Sequence, residues 1–368
     1  MPSSMTYMNI PYLSLKDITK MYAEEIQQAV SAVINKGWYL QGEAVSGFEK
    51  AFAGYTGAAH CISTGNGLDA LRLMIRAYKE LGVMHDGDEI IVPANTFIAT
   101  ILAITDNNLV PVLTEPRLDN FQIDDRLIEQ TITSRTKAIM IVHLYGYDAY
   151  TEKIGDICRK HNLLLLQDCA QAHGLPIRSR SDGINGCEAY SFYPAKNLGA
   201  LADAGAVTTD NSELAETIRA LGNYGSERKY VFKYKGLNSR MDEINAAVLS
   251  VKLQHLASDN LRRQEIADYY IEHISQDGLS LPPRDGVHHI FPVLSAQRDK
   301  LQEYLKGQGI QTVIHYPIPP HKQDCYREWN NLSFPITEKI HREELSLPLN
   351  QAMTDSEVEY VVDTINRM

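Results

Sequence analysis

A single lysine, Lys196, stands among serine, aromatic, proline and glycine residues in the stretch SFYPAKNLG (191–199), just ahead of the β-prone run AGAVTT (204–209). Upstream, an apolar run of four leucines (163–166) ends in Gln167 and Asp168. A run of that length after an amphipathic helix predicts a buried parallel strand. Its carboxyl end is where open α/β sheets hold ligands. A lysine amine forms Schiff bases with carbonyl compounds, and an acid can keep a pyridinium nitrogen protonated. These are two parts of pyridoxal phosphate chemistry. Residue types alone leave another reading open, a surface lysine in a loop and a helix-capping aspartate, since neither residue is rare.

A third feature is the glycine-rich turn at Gly65-Asn66-Gly67, which follows the strand-like run 61–64 and precedes the helical period of 68–81. A strand, glycines and then a helix start can hold a phosphate on backbone amides and the helix dipole, although glycine also marks ordinary turns. The elements that would position these residues alternate. Short apolar strands are predicted at 89–93, 109–114, 138–144 and 163–166, with helical patterns at 17–35, 44–55, 125–131, 151–161, 211–221 and from 240 to about 273. Asn95-Thr96 can cap a helix after the strand that ends in Pro93. Alternating strands and helices predict βαβ units and a mostly parallel sheet. Beyond Leu281-Pro282-Pro283 the pattern changes to a strand at 289–294, a helix at 297–308 and a closing helix at 355–366. The expected division is a large α/β domain with an N-terminal arm at 1–255 and a smaller α+β domain at 256–368.

Composition narrows the class. The hydrophobic share of 44% and charged share of 22% fit a soluble globular chain. The net charge of -11 speaks against nucleic acid or an anionic membrane as partner. The polar start at 1–9 predicts no secretion signal, and no run of about 18 apolar residues predicts a membrane span. The cysteines Cys61, Cys158, Cys169, Cys187 and Cys325 are odd in number and form no CxxC. That predicts neither a zinc site nor a disulfide framework, and it fits a reducing cytoplasm.

Five stretches, in order GNGLDAL (65–71), PANTFIAT (93–100), DCAQAHG (168–174), SFYPAKNLGALADAGAV (191–207) and LNSRMDEINAAVL (237–249), carry a resemblance. The chain resembles the DegT/DnrJ/EryC1/StrS sugar aminotransferases from IPYL (10–13) to LSLP (345–348). The resemblance implies a fold-type I pyridoxal phosphate enzyme in which residues 1–255 bind the cofactor. It assigns Lys196 the Schiff base and the proton shuttle, Asp168 the pyridinium nitrogen, and Gln171 the neighbourhood of the 3-hydroxyl. Gly67 and Leu68 match backbone amides on the phosphate, Ser191 a phosphate-binding hydroxyl, and Phe97 an aromatic on the ring face. Asn238 matches a phosphate contact from a neighbouring subunit, which implies a homodimer with shared sites. Phe97 would also serve as core, Ser191 as a turn hydroxyl, and Gln171 and Asn238 as local caps. Gln167 stands where a glutamate is usual, Ala195 and Ala202 where glycine is common, and Tyr147-Asp148-Ala149 where a Gln-Pro pair is usual.

AQAHG (170–174) and HYPIPPH (315–321) are most similar to aminotransferases that act at C3 of dTDP-linked sugars. The implied reaction passes an amino group from L-glutamate to a dTDP-3-keto-6-deoxyhexose, giving a dTDP-3-amino-3,6-dideoxyhexose and 2-oxoglutarate. Tyr316, His321 and Arg240 are then the expected substrate contacts, with Lys322 and Arg228 as further cations for the diphosphate. Amination at C4 of a dTDP- or UDP-4-keto-6-deoxy sugar is the alternative. Related dehydratases carry histidine in place of the lysine, and a non-catalytic relative would have lost Lys196 or Asp168. Both residues are present.

Overall fold

The computed structural model describes residues 8–184 and 186–368. Most of the polar start, residues 1–7, and Asn185 lie outside the described residues. Seven strands form the main sheet: β1 (His60–Thr64), β2 (Glu89–Pro93), β3 (Val110–Thr114), β4 (Thr136–Val142), β5 (Leu164–Asp168), β6 (Gly186–Ser191) and β7 (Gly205–Thr209), in the order β1-β7-β6-β5-β4-β2-β3. Only β7 runs against its neighbours, pairing antiparallel with both β1 and β6. Every other strand therefore points the same way, and Thr64, Pro93, Asp168 and Ser191 all end at one edge. That shared edge gathers the chemistry-bearing loops.

The strands read as apolar runs because helices cover both faces. Helix Gly67–Glu80 packs Ala70, Leu71 and Met74 on one side with Ile90, Met140 and Leu166. On the other side, helix Glu43–Thr56 and the first half of helix Glu243–His273 bury Phe48, Phe52, Leu249 and Leu256 with Phe192. Phe192 meets Phe48 edge-on at 5.3 Å, which seats the segment leading to Lys196 on this core. A two-stranded hairpin, β8 (Ser226–Arg228) with β9 (Val231–Phe232), precedes a small antiparallel sheet of β10 (Leu279–Ser280), β11 (Phe291–Ser295) and β12 (Glu344–Leu347). The small sheet packs with Ile266 and Tyr270 from the second half of helix Glu243–His273. The expected domain boundary at 255/256 falls inside that unbroken helix.

Two elements differ from the periodicity. The helix expected over 17–35 is two, Leu15–Met21 and Ala23–Lys36, broken at Tyr22. Tyr22 is drawn off the helical path by tertiary partners: its hydroxyl donates to Asp259 Oδ1 at 2.5 Å and its ring stacks on His255 at 4.1 Å. The helix expected over 125–131 tightens after Ile128 into a 3₁₀ turn, Glu129–Thr131. Helix Pro335–Glu343, opened by a proline at N1, has too short a period to stand out in sequence. No helix among the described residues is long and apolar enough to cross a membrane.

Candidate active site

The turn after β1 is shaped by close approach. Asn66 caps helix Gly67–Glu80, its side chain accepting from Asp69 N at 2.8 Å. The amides of Gly67 and Leu68 open the helix without an acceptor among the described residues. A Cβ on Gly67 would lie 2.5 Å from Ser191 Cβ, so only glycine lets the helix start touch the end of β6. The Ser191 hydroxyl accepts from Tyr193 N at 3.3 Å, so its own proton is free for another acceptor. Two free amides, a positive helix end and a hydroxyl converge here, which is the donor set of an anion site.

Along the same edge lies Asp168, buried at the end of β5. Its Oδ2 accepts from Thr100 Oγ at 2.8 Å and its Oδ1 from Ala170 N at 3.0 Å. Burial pushes its carboxyl above the usual range, against the opposing pull of Thr100, Ala170, Lys196 and His143. A carboxylate in that position gains from a further cationic partner. The preceding Gln167 is wholly buried, linking His143 at 3.2 Å to Ser179 at 3.0 Å and Glu188 at 3.1 Å. A glutamate in its place would set a second carboxylate against buried Glu188.

Lys196 follows from the connection between β6 and β7, its amide donating to Tyr193 O at 2.8 Å. Its Nζ makes no hydrogen bond among the described residues. Burial lowers its pKa to about 8, with Asp168 acting the other way. Asn197 beside it donates to Asn260 Oδ1 at 2.9 Å and Val287 O at 2.8 Å, and Lys252 donates to Gly199 O at 2.7 Å. The lysine is therefore held by its neighbours while its own amine stays free.

Phe97 exposes 47% of its surface and its ring lies 4.9 Å from that of Tyr316. Gln171 accepts from Tyr145 N at 2.5 Å and donates to Tyr316 Oη at 3.1 Å, so it joins the Asp168 loop to the 315–321 stretch. Within that stretch the histidine singled out in the sequence is closed off. His321 is fully buried, bonded to Glu338 at 3.0 Å and packed edge-on against Phe334. In this arrangement it offers a sugar no exposed atom. Lys322 is likewise occupied, donating to Asn330 O and Leu332 O at 2.8 Å each. Arg240 is partly buried, bonded to Asn223 Oδ1 at 3.1 Å and set over the Tyr224 ring. Asn238 and Arg228 are exposed on the segments flanking the hairpin and in β8 itself.

Two residues at the site were not singled out in the sequence. Thr100 reaches Asp168 from the first turn of helix Ile98–Thr105, and its place inside PANTFIAT was the available signal. His315 opens HYPIPPH; its Nδ1 meets Ser346 Oγ at 2.8 Å, its Nε2 has no partner among the described residues, and the Lys196 charge acts on it. Of the two histidines in that stretch, His321 is buried and His315 is half-buried.

The arrangement matches known proteins. The profile of the DegT/DnrJ/EryC1/StrS aminotransferase family covers residues 20–366. A dTDP-3-amino-3,6-dideoxy-alpha-D-galactopyranose transaminase of Aneurinibacillus thermoaerophilus is 52% identical over 97% of this chain and 99% of its own. The crystal structure of S. venezuelae DesV in complex with a ketimine intermediate aligns with a TM-score of 0.93 at 40% identity, over 98% of both chains. NtdA from Bacillus subtilis, with bound cofactor PMP, aligns at 0.92 and 30% identity, over 100% of this chain and 86% of that one. With a family match across nearly its whole length and a strand edge carrying Lys196, Asp168 and the Gly67 turn, the chain belongs to the DegT/DnrJ/EryC1/StrS aminotransferase family and is an enzyme of that class.

Proposed function

We propose that this enzyme moves an amino group from L-glutamate to a dTDP-linked 3-keto-6-deoxyhexose, yielding the dTDP-3-amino-3,6-dideoxyhexose and 2-oxoglutarate with pyridoxal 5'-phosphate as cofactor. The observation that carries the reading is Lys196, an unbonded amine with its pKa pulled down to about 8, on the same sheet edge as a buried carboxylate and an empty-handed helix start. The relatives named as dTDP-3-amino sugar transaminases support the sugar class.

The residues present fit the cofactor. The Gly67 and Leu68 amides with the Ser191 hydroxyl suit its phosphate, and the lack of a Cβ on Gly67 lets that hydroxyl lie against the helix start. Asp168, its two oxygens oriented by Thr100 and Ala170, suits a protonated ring nitrogen. Phe97 suits a ring face, and Gln171 borders the same space. When bound, the cofactor supplies the carbonyl that takes up the amino group and the electron sink that stabilises a carbanion. Lys196 would hold the cofactor at Nζ, and its amine would carry the proton removed from the donor carbon and the one delivered to the sugar carbon. Its lowered pKa makes the neutral amine available near neutral pH. Tyr316, beside Phe97, is the proposed sugar contact, and Arg240 is the proposed partner of the diphosphate.

The test is a single turnover. Enzyme converted to its amine form with glutamate is mixed with dTDP-3-keto-6-deoxyglucose, its C4 epimer, dTDP-4-keto-6-deoxyglucose and the UDP-4-keto counterpart, the labile 3-keto sugars being generated in place. Return of the visible absorbance with the 3-keto sugars alone is expected. Return with a 4-keto sugar would overturn the C3 assignment, and silence toward all four would overturn the substrate class.

The proposal includes a homodimer working in the cytoplasm, with a cofactor-binding domain at 1–255 and a smaller one at 256–368. Large exposed aromatic side chains support the dimer: Trp38 is 62% exposed, Phe232 59% and Tyr230 81%. Asn238, itself exposed, is then supplied to the neighbouring copy's phosphate.

A further inference from the structure

Glu344 and Ser346, both fully buried in β12, lie behind His315 and outside every role assigned so far. Glu344 Oε2 accepts from the His315 amide at 2.5 Å, Glu344 Oε1 faces Ser346 Oγ at 2.5 Å, and Ser346 Oγ faces His315 Nδ1 at 2.8 Å. The same backbone is pinned by the Val313 to Ser346 bridge and by the Tyr145 hydroxyl on His315 O at 2.5 Å. We propose that Glu344, acting through Ser346, sets which ring nitrogen of His315 carries the proton, and that ionised Glu344 leaves Nε2 bare to accept a hydrogen bond from a hydroxyl of the keto-sugar. The sugar part of this statement rests on the function proposed above.

Each hydrogen-bonded gap in this row holds one proton. Because Oε2 is already committed to the His315 amide, an ionised Glu344 takes the Ser346 proton on Oε1. Ser346 Oγ can then only accept from the ring, so Nδ1 is protonated and Nε2 is an acceptor. A proton on Oε1 reverses the row: Ser346 donates to Nδ1 and the ring proton moves to Nε2. Burial raises Glu344 to about 8, so both states lie within reach of neutral pH. Burial and the Lys196 charge hold His315 down to about 4, so its ring stays neutral throughout and only its tautomer changes. The groups facing the chain from other elements are Lys196, Tyr12, Tyr145, Tyr316, His289 and Arg298. Lys196 itself titrates near the same pH, so variants compared at one pH are the cleaner measure than a profile.

Glu344 and Ser346 are thus positioning residues, and a conservative variant separates position from bulk. In Glu344→Gln the amide oxygen remains with the His315 N–H, so the NH₂ faces Ser346 and the row is fixed in its reversed sense. The experiment records the ¹⁵N spectrum of histidine-labelled holoenzyme at about pH 9, where Glu344 is ionised, with the His315 signal assigned by its absence in His315→Asn. Wild type should show the Nδ1–H tautomer and Glu344→Gln the Nε2–H tautomer, with Ser346→Ala giving a mixture. In Glu344→Gln, KM for the 3-keto sugar should rise about tenfold while the glutamate half-reaction stays within about twofold. An Nε2–H ring in wild type overturns the proposal without reference to any variant's folding. The same tautomer in both proteins, or a reversed tautomer with unchanged KM, overturns it as well. Failure of the substrate reading would look different: wild type itself would not react with the sugar.

Discussion

Gly67, Asp168 and Ser191 each end or directly follow a strand of one sheet, whereas His315, Tyr316 and His321 hang from a loop that hydrogen bonds across the chain hold in place. On the first side, position follows from topology: parallel strands deliver their last residues to one edge, and Gly67 touches Ser191 because a single atom more would not fit. On the second side, position follows from buried polar partners, with Glu344 and Ser346 on His315, Gln171 on Tyr316 and Glu338 on His321. One side is thus set by the sheet and the other by side chains buried behind the loop.

Lys196→Ala should abolish the visible absorbance of bound cofactor and lower turnover by at least roughly a thousandfold; measurable transfer at near wild-type rate would remove the lysine from its role. Next, Gly67→Ala forces a Cβ to within 2.5 Å of Ser191 Cβ and 3.0 Å of its Cα. The strain of about 1–3 kcal/mol should weaken cofactor affinity about tenfold to a hundredfold, with the keto-sugar preference unaltered. The pH dependence has a definite sign. A lysine attacks only when neutral and burial has lowered its pKa to about 8, so the neutral form prevails above that value. Cofactor uptake by the apoprotein should therefore rise about tenfold per pH unit below it and level off above. The smallest effect is expected at the loop side. His321→Asn should cost about 1–3 kcal/mol of stability, seen as a lower Tm, and leave the sugar KM within about twofold; a large KM change would reopen His321 as a substrate contact.

The same contrast explains what could be read from the sequence. Apolar runs gave away β2, β4 and β5 because strands buried on both faces have no polar alternation to hide them. Lys196, Asp168 and the Gly67 turn were legible because their chemistry is tied to local patterns. Thr100 was not, since its link to Asp168 spans 68 residues, and neither was the Glu344 contact with His315, which spans 29. A histidine in a sequence carries no sign of whether its ring will be sealed against Phe334, as His321 is, or left with one nitrogen open, as His315 is. Tyr22 shows the same limit in secondary structure, where an aspartate more than two hundred residues away breaks a helix whose periodicity runs straight through.

Helix Glu243–His273 has a mechanical consequence. Its 31 residues make a rod about 46 Å long. One half belongs to the core under the lysine segment, to which Lys252 and Asn260 are also tied, and the other half to the core of the small sheet. Melting either core would strip the rod of half its apolar contacts, so neither has a stable existence without the other. Heat should therefore unfold both in one cooperative calorimetric transition, and a chain cut after residue 255 should not fold.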